Sequence, residues 1–131
     1  MTLNMKKTLS SKSGFTMIEL LVVATIIILL TTIGLVSYRQ ASISSRNGKR
    51  KADLETVRQA LVMYRSEQGS YPTTNDFDVM IGILKAEGFL SDDSTVFTDP
   101  GQNTYLYSGG GTSFTLTATL EPSGTYELKN P

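Results

Sequence analysis

The sequence predicts an α+β protein in which one long helix, apolar in its first half and amphipathic in its second, packs on a small three-stranded antiparallel sheet. Three observations predict it. An uncharged run extends from Leu20 to Tyr38. Leu54, Val57, Leu61 and Tyr64 then recur at helical spacing, with Ala60 beside them. The last third alternates apolar and polar residues with the period of a strand.

Residues 1–14 carry Lys6, Lys7 and Lys12 and no acidic residue, and the apolar run that follows is broken by one carboxylate, Glu19. From Leu20 to Tyr38 there are about 19 residues without charge, roughly 28 Å of helix at 1.5 Å per residue. That length matches a bilayer core of about 30 Å. A carboxylate in such a span is unfavourable by up to about 3 kcal/mol on insertion scales and usually marks a partner or a function. Glu19 either sits near the interface and reaches back to water, or meets a positive group at its own depth. The helix supplies no cation. A cut after Gly14 would supply one, the new amine of Phe15, placed in the first turn where a neighbouring copy's Glu19 would meet it.

The string Gly14-Phe15-Thr16-Met17-Ile18-Glu19-Leu20-Leu21 resembles the cleavage and methylation motif of type IV pilins and type II secretion pseudopilins. The resemblance implies a type IV pilin-like fold, processing by a prepilin peptidase between Gly14 and Phe15, N-methylation of Phe15, and assembly into a helical filament through Glu19 and Thr16. It divides the chain into a cytoplasmic leader with its lysine charge (1–14), a transmembrane and assembly half-helix (15–38) and a globular domain (39–131). It implies as partners further copies of the chain, other pilins or pseudopilins, an inner-membrane assembly platform and the lipid bilayer. The precursor would be single-pass in the cytoplasmic membrane, N-terminus inside, and the product an extracytoplasmic filament in the periplasm or at the cell surface. An ordinary secretory signal fits less well: the apolar run exceeds the usual length, contains Glu19, and is closed by no A-x-A-like site.

Charge alone does not give that orientation. Arg39, Arg46, Lys49, Arg50 and Lys51 follow the span and outnumber the leader lysines, against the positive-inside rule. The expectation is that this cluster lies on the far side, next to lipid phosphates or on a filament's surface. The chain also departs from many relatives in having Val36 where they have proline and Ile28 where they have glycine. Gly34 and Thr31-Thr32 are the nearest points of local flexibility.

The helix is expected to continue to Gln68, about 54 residues from Phe15 or roughly 80 Å, and to stop at Gly69 with Pro72 beyond it. Asp76 to Glu87 reads as a short helix with Phe77, Met80, Ile81 and Leu84 on one face and Gly88 after it, Gly82 weakening the pattern. Phe89 and Leu90 are expected to pack under it. Thr104 to Tyr107, Phe114 to Leu120 and Thr125 to Leu128 read as strands, joined by a Gly109-Gly110-Gly111 hairpin loop and a Glu121-Pro122-Ser123-Gly124 turn. Gly69 to Thr73 and the Asp99-Pro100-Gly101 turn resemble segments of major pseudopilins.

Twelve basic residues balance twelve acidic ones, and cysteine, histidine and tryptophan are absent. Thiol, imidazole and zinc-thiolate chemistry are thereby excluded, no enzyme is expected, and neither is a generally polyanion-binding protein, although local clusters could still bind. No cofactor is expected. Asp92, Asp93 and Asp99 suggest calcium, but the glycine- and aspartate-rich C-terminal loop that binds it in major pseudopilins has no counterpart in Glu127 to Pro131, and a solvated loop is the preferred reading. Ser108 to Ser113 lacks the lysine of a phosphate-binding loop. The tyrosines fit the helix stripe and the strands better than a nucleic-acid surface. The function expected is a structural filament subunit, either a pseudopilin of a type II secretion system or a type IV pilin. The alternatives are a membrane-tethered binding module that does not polymerise, or a minor or competence pilin acting in DNA uptake or adhesion.

Overall fold

One helix runs through both parts of the molecule. The computed structural model describes residues 14–91 and 97–131, and the chain divides into two units, the first ending at Tyr38 and the second covering Arg39–Pro131. Helix α1, Met17–Gln68, is 52 residues long and unbroken across that boundary. It is the one helix among the described residues long and apolar enough to cross a membrane.

In the first unit the apolar side chains of α1 are left uncovered, from 48% exposed at Val22 to 85% at Met17. Three threonine hydroxyls within it turn back onto the helix. Thr25 donates to the Val22 carbonyl at 2.7 Å, Thr31 to Ile27 at 2.8 Å, and Thr32 to Ile28 at 2.8 Å. Threonine hydroxyls returned to their own backbone suit an environment without water.

In the second unit, α1 is followed by β1 (Tyr71–Thr74), α2 (Phe77–Ala86), β2 (Leu106–Gly111), β3 (Ser113–Thr119) and β4 (Thr125–Lys129). The sheet has the order β1-β2-β3-β4, antiparallel throughout. The architecture is α+β as expected. Its core joins Leu54, Val57, Ala60 and Leu61 of α1 to Phe77, Met80 and Leu84 of α2 and to Tyr107, Phe114, Leu116 and Ala118 of the sheet. Burying each large side chain of this kind stabilises by about 1.5–3 kcal/mol. Edge-on aromatic pairs close the layer, Tyr71 with Phe114 at 4.7 Å and Phe77 with Tyr105 at 5.4 Å between ring centres.

The sheet has four strands rather than the expected three. Tyr71–Thr74 pairs with Gly109–Gly111 across an irregular register, and Pro72 is tolerated because β1 lies at the sheet's edge. The glycine triplet is therefore strand, not loop. A Cβ on Gly109 would lie 2.2 Å from the Tyr107 hydroxyl oxygen, so glycine there lets the Tyr107 ring fold over the strand and donate its hydroxyl to the Pro72 carbonyl at 2.8 Å. The reversal itself falls between the paired residues Gly110 and Ser113, with Gly111 at φ 60°, as two-residue hairpin loops require.

Helix α2 is set at its start by Asp76, whose carboxylate accepts from the backbone N–H groups of Asp78 and Val79. At its end Gly88, at φ 81°, lets Phe89 N–H return to the Leu84 carbonyl at 2.8 Å, a Schellman-type stop. Gly82 remains inside the helix.

Candidate functional site

The residues singled out by the motif lie at the beginning of the described chain. Gly14, Phe15 and Thr16 precede α1 and are exposed. Thr16 occupies the cap position, and Glu19 stands three residues on. The Glu19 N–H donates to Thr16 Oγ1 at 3.3 Å, while the Thr16 N–H and hydroxyl donate to Glu19 Oε2 at 3.1 and 3.3 Å. This reciprocal arrangement is a capping box. It satisfies donors that a helix start otherwise leaves orphaned, and the helix dipole favours a negative group there by about 0.3–1 kcal/mol. Glu19 thus has a role within its own chain that the reading of its charge alone did not supply, although the spacing Thr-x-x-Glu preceding an apolar run signals it. Oε2 takes these bonds; Oε1 makes none among the described residues. Lys6, Lys7 and Lys12 lie outside the described residues, as do Asp92 and Asp93.

A second constellation gathers at the start of the globular unit. Arg46, Asn47 and Arg50 lie on successive turns of α1 and reach two separate loops. Glu121, in the turn between β3 and β4, accepts from the Arg46 guanidinium through both carboxylate oxygens and from Arg50 Nη2 at 2.7 Å. Asn47 pairs with the Glu121 backbone, its Nδ2 donating to the carbonyl at 2.7 Å and its Oδ1 accepting from the N–H at 3.0 Å. Arg50 is completely buried and donates to Asp99 from Nε at 2.5 Å and Nη2 at 3.0 Å. Asp99 also accepts from the backbone N–H of Gly101 at 2.8 Å and of Asn103 at 3.3 Å. The ion pairs with Arg46 first, then Arg50, hold the Glu121 carboxyl down at about 2. The same charge-assisted bonding to Arg50 lowers Asp99 and raises Arg50.

These contacts correct two expectations. Arg50 does not belong to a lipid- or surface-facing basic cluster, because it is the buried centre of an ion-pair network. Asp99 is not a solvated turn residue, because its carboxylate is saturated by Arg50 and two backbone donors. The network continues outward, where Lys49 and the Tyr105 hydroxyl both donate to Asp53 Oδ2 at 2.8 Å. Burial, then the bond to Asp53, pushes the Tyr105 hydroxyl up. Burial likewise pushes Tyr107 up to about 12.

A cleft of about 350 Å³ opens between the start of α2 and the 97–106 loop, lined by Asp76, Phe77, Asp78, Phe97, Asp99 and Tyr105 among others. Two of its three carboxylates are already engaged, Asp76 as the α2 cap and Asp99 with Arg50. Among the described residues no group of three or more acidic side chains is placed to hold a metal ion. Comparison with protein families, with characterised proteins and with solved structures gives no match.

Proposed function

We propose that this chain is a structural filament subunit of the pilin or pseudopilin kind: inserted in a membrane as a precursor, cut between Gly14 and Phe15, methylated at Phe15 and polymerised through the apolar half of α1. The observation that carries this reading is an uncovered apolar half-helix, with a single carboxylate in its first turn, continuing without a break into the helix that walls a folded unit. Such a half-helix needs lipid first and like helices afterwards. Glu19 Oε1 remains available to accept the Phe15 amine of a neighbouring copy while Oε2 caps its own helix, so capping and inter-subunit pairing are compatible.

N-terminal sequencing and intact mass of the protein from native membranes test the reading together. A mature chain beginning with methylated Phe15 is expected; a chain that keeps Lys6, Lys7 and Lys12 refutes processing. Replacing Gly14 by a bulky residue is expected to strand the uncut precursor in the membrane. Glu19→Ala is expected to be cut normally and to form no filaments, and a normal filament yield by electron microscopy would remove Glu19 from the assembly mechanism.

A further inference from the structure

The basic cluster after the span contains two kinds of cation. At 3.6 residues per turn, Arg39, Arg46 and Arg50 project within about 40° of one another, over roughly 16 Å of helix. Two of the three are taken: Arg46 by Glu121, and Arg50 by Asp99 and Glu121. Lys49 is paired with Asp53 at 2.8 Å, and Lys51 lies over the Tyr126 ring, 5.4 Å from its centre. Arg39 is exposed and has no ion-pair partner among the described residues. It is also the first charge after a run of about 28 Å, so in a membrane-inserted precursor its guanidinium stands at the depth of the far headgroups.

Resting on the membrane reading above, we infer that Arg39 is the cation of this cluster that binds phospholipid phosphate, and that Asp99 and Glu121 withhold Arg46 and Arg50 from the same partner. The guanidinium fork matches two phosphate oxygens, and a carboxylate already on Arg46 or Arg50 occupies that fork. The partner favoured is lipid rather than another copy of the chain, because the position of Arg39 is fixed by the length of the apolar run.

The chain contains no cysteine, so Gln40→Cys gives a unique handle for a membrane-impermeant maleimide in the full-length protein. The protein is placed in phosphatidylcholine vesicles with or without phosphatidylglycerol. Phosphatidylglycerol is expected to slow labelling about fivefold, the effect of one surface cation on anionic lipid. Adding Arg39→Gln should abolish that dependence, and adding Arg46→Gln should leave it. Glu121→Gln, which releases Arg46, should enlarge it while circular dichroism stays unchanged.

Equal losses from Arg39→Gln and Arg46→Gln overturn the assignment, and an unchanged dependence in Glu121→Gln overturns the withholding role. Protection that follows the protein-to-lipid ratio instead of phosphatidylglycerol assigns Arg39 to another copy and overturns the lipid partner. Failure of the protein to stay with the vesicles through alkaline extraction refutes the membrane reading itself, and the inference with it.

Discussion

Leu29 and Leu61 sit on one helix and meet opposite fates. Leu61 is wholly buried beneath the sheet, whereas Leu29 is 62% exposed. What differs is the company each half of α1 keeps. The second half alternates apolar and charged residues, so it has an inside and an outside and folds against its own chain. The first half is apolar on every face, so no sheet on one side could cover it. The contrast divides the molecule into a part covered by its own chain and a part that its own chain leaves uncovered.

The sharpest way to break this contrast is to attack the buried ion pair of the covered part. Asp99→Ala leaves the buried Arg50 with Glu121 as its one remaining carboxylate among the described residues and is expected to destabilise the globular unit by about 3–4 kcal/mol, read as a lower urea midpoint for the full chain in detergent. An unchanged midpoint would mean that the Asp99 pair contributes specificity without stability. Next comes the matched leucine pair. Leu61→Ala is expected to destabilise by about 3 kcal/mol, while Leu29→Ala should leave the same midpoint unmoved and instead reduce membrane retention or filament yield. Equal effects on the midpoint would erase the division.

Acid provides a third and smaller handle. The Glu121 carboxyl is held at about 2, below its ordinary value of 4.5, so its ion pairs stabilise fully above pH 4.5 and lose their effect as pH falls toward 2. Glu121→Gln should flatten the dependence of the melting temperature across that window. The smallest effect is expected at the helix start, where Thr16→Ala removes the capping box. About 1 kcal/mol of local helix stability should go, seen as faster amide exchange over residues 17–20 without any change in the globular melt.

Much of this architecture was legible because it is written in periodicities. The 3.6 spacing of Leu54, Val57 and Leu61 and the alternation around Phe114, Leu116 and Ala118 describe which side of each element is covered. The stop at Gly69 likewise follows from local chemistry. The fourth strand was not legible, since Tyr71–Thr74 is short and contains Pro72, and its partner is a glycine triplet with the composition of a loop. Only the packing of Tyr107 over Gly109 explains why glycine stands there. Nor was the ion-pair network legible. Arg50 and Asp99 are 49 residues apart, and nothing local distinguishes a buried arginine from a surface one. In the candidate site the position of Glu19 is evident from its charge, whereas its bond to Thr16 is signalled only by the Thr-x-x-Glu spacing, because an isolated carboxylate in an apolar run points toward a partner rather than back along its own chain.

The tethered hydroxyls of Thr25, Thr31 and Thr32 carry a mechanical implication. Since each is turned onto its own backbone, the flank of α1 between Leu20 and Val36 offers neighbours chiefly methyl and methylene groups. On the filament reading proposed above, exchanging acyl chains for the sides of sister helices would replace one oily contact with another, and neither destination would hold the rod strongly against sliding. Work to draw it from the bilayer would have to be applied from outside, and the grip for that pull would lie at the ends of the segment, where polar groups begin.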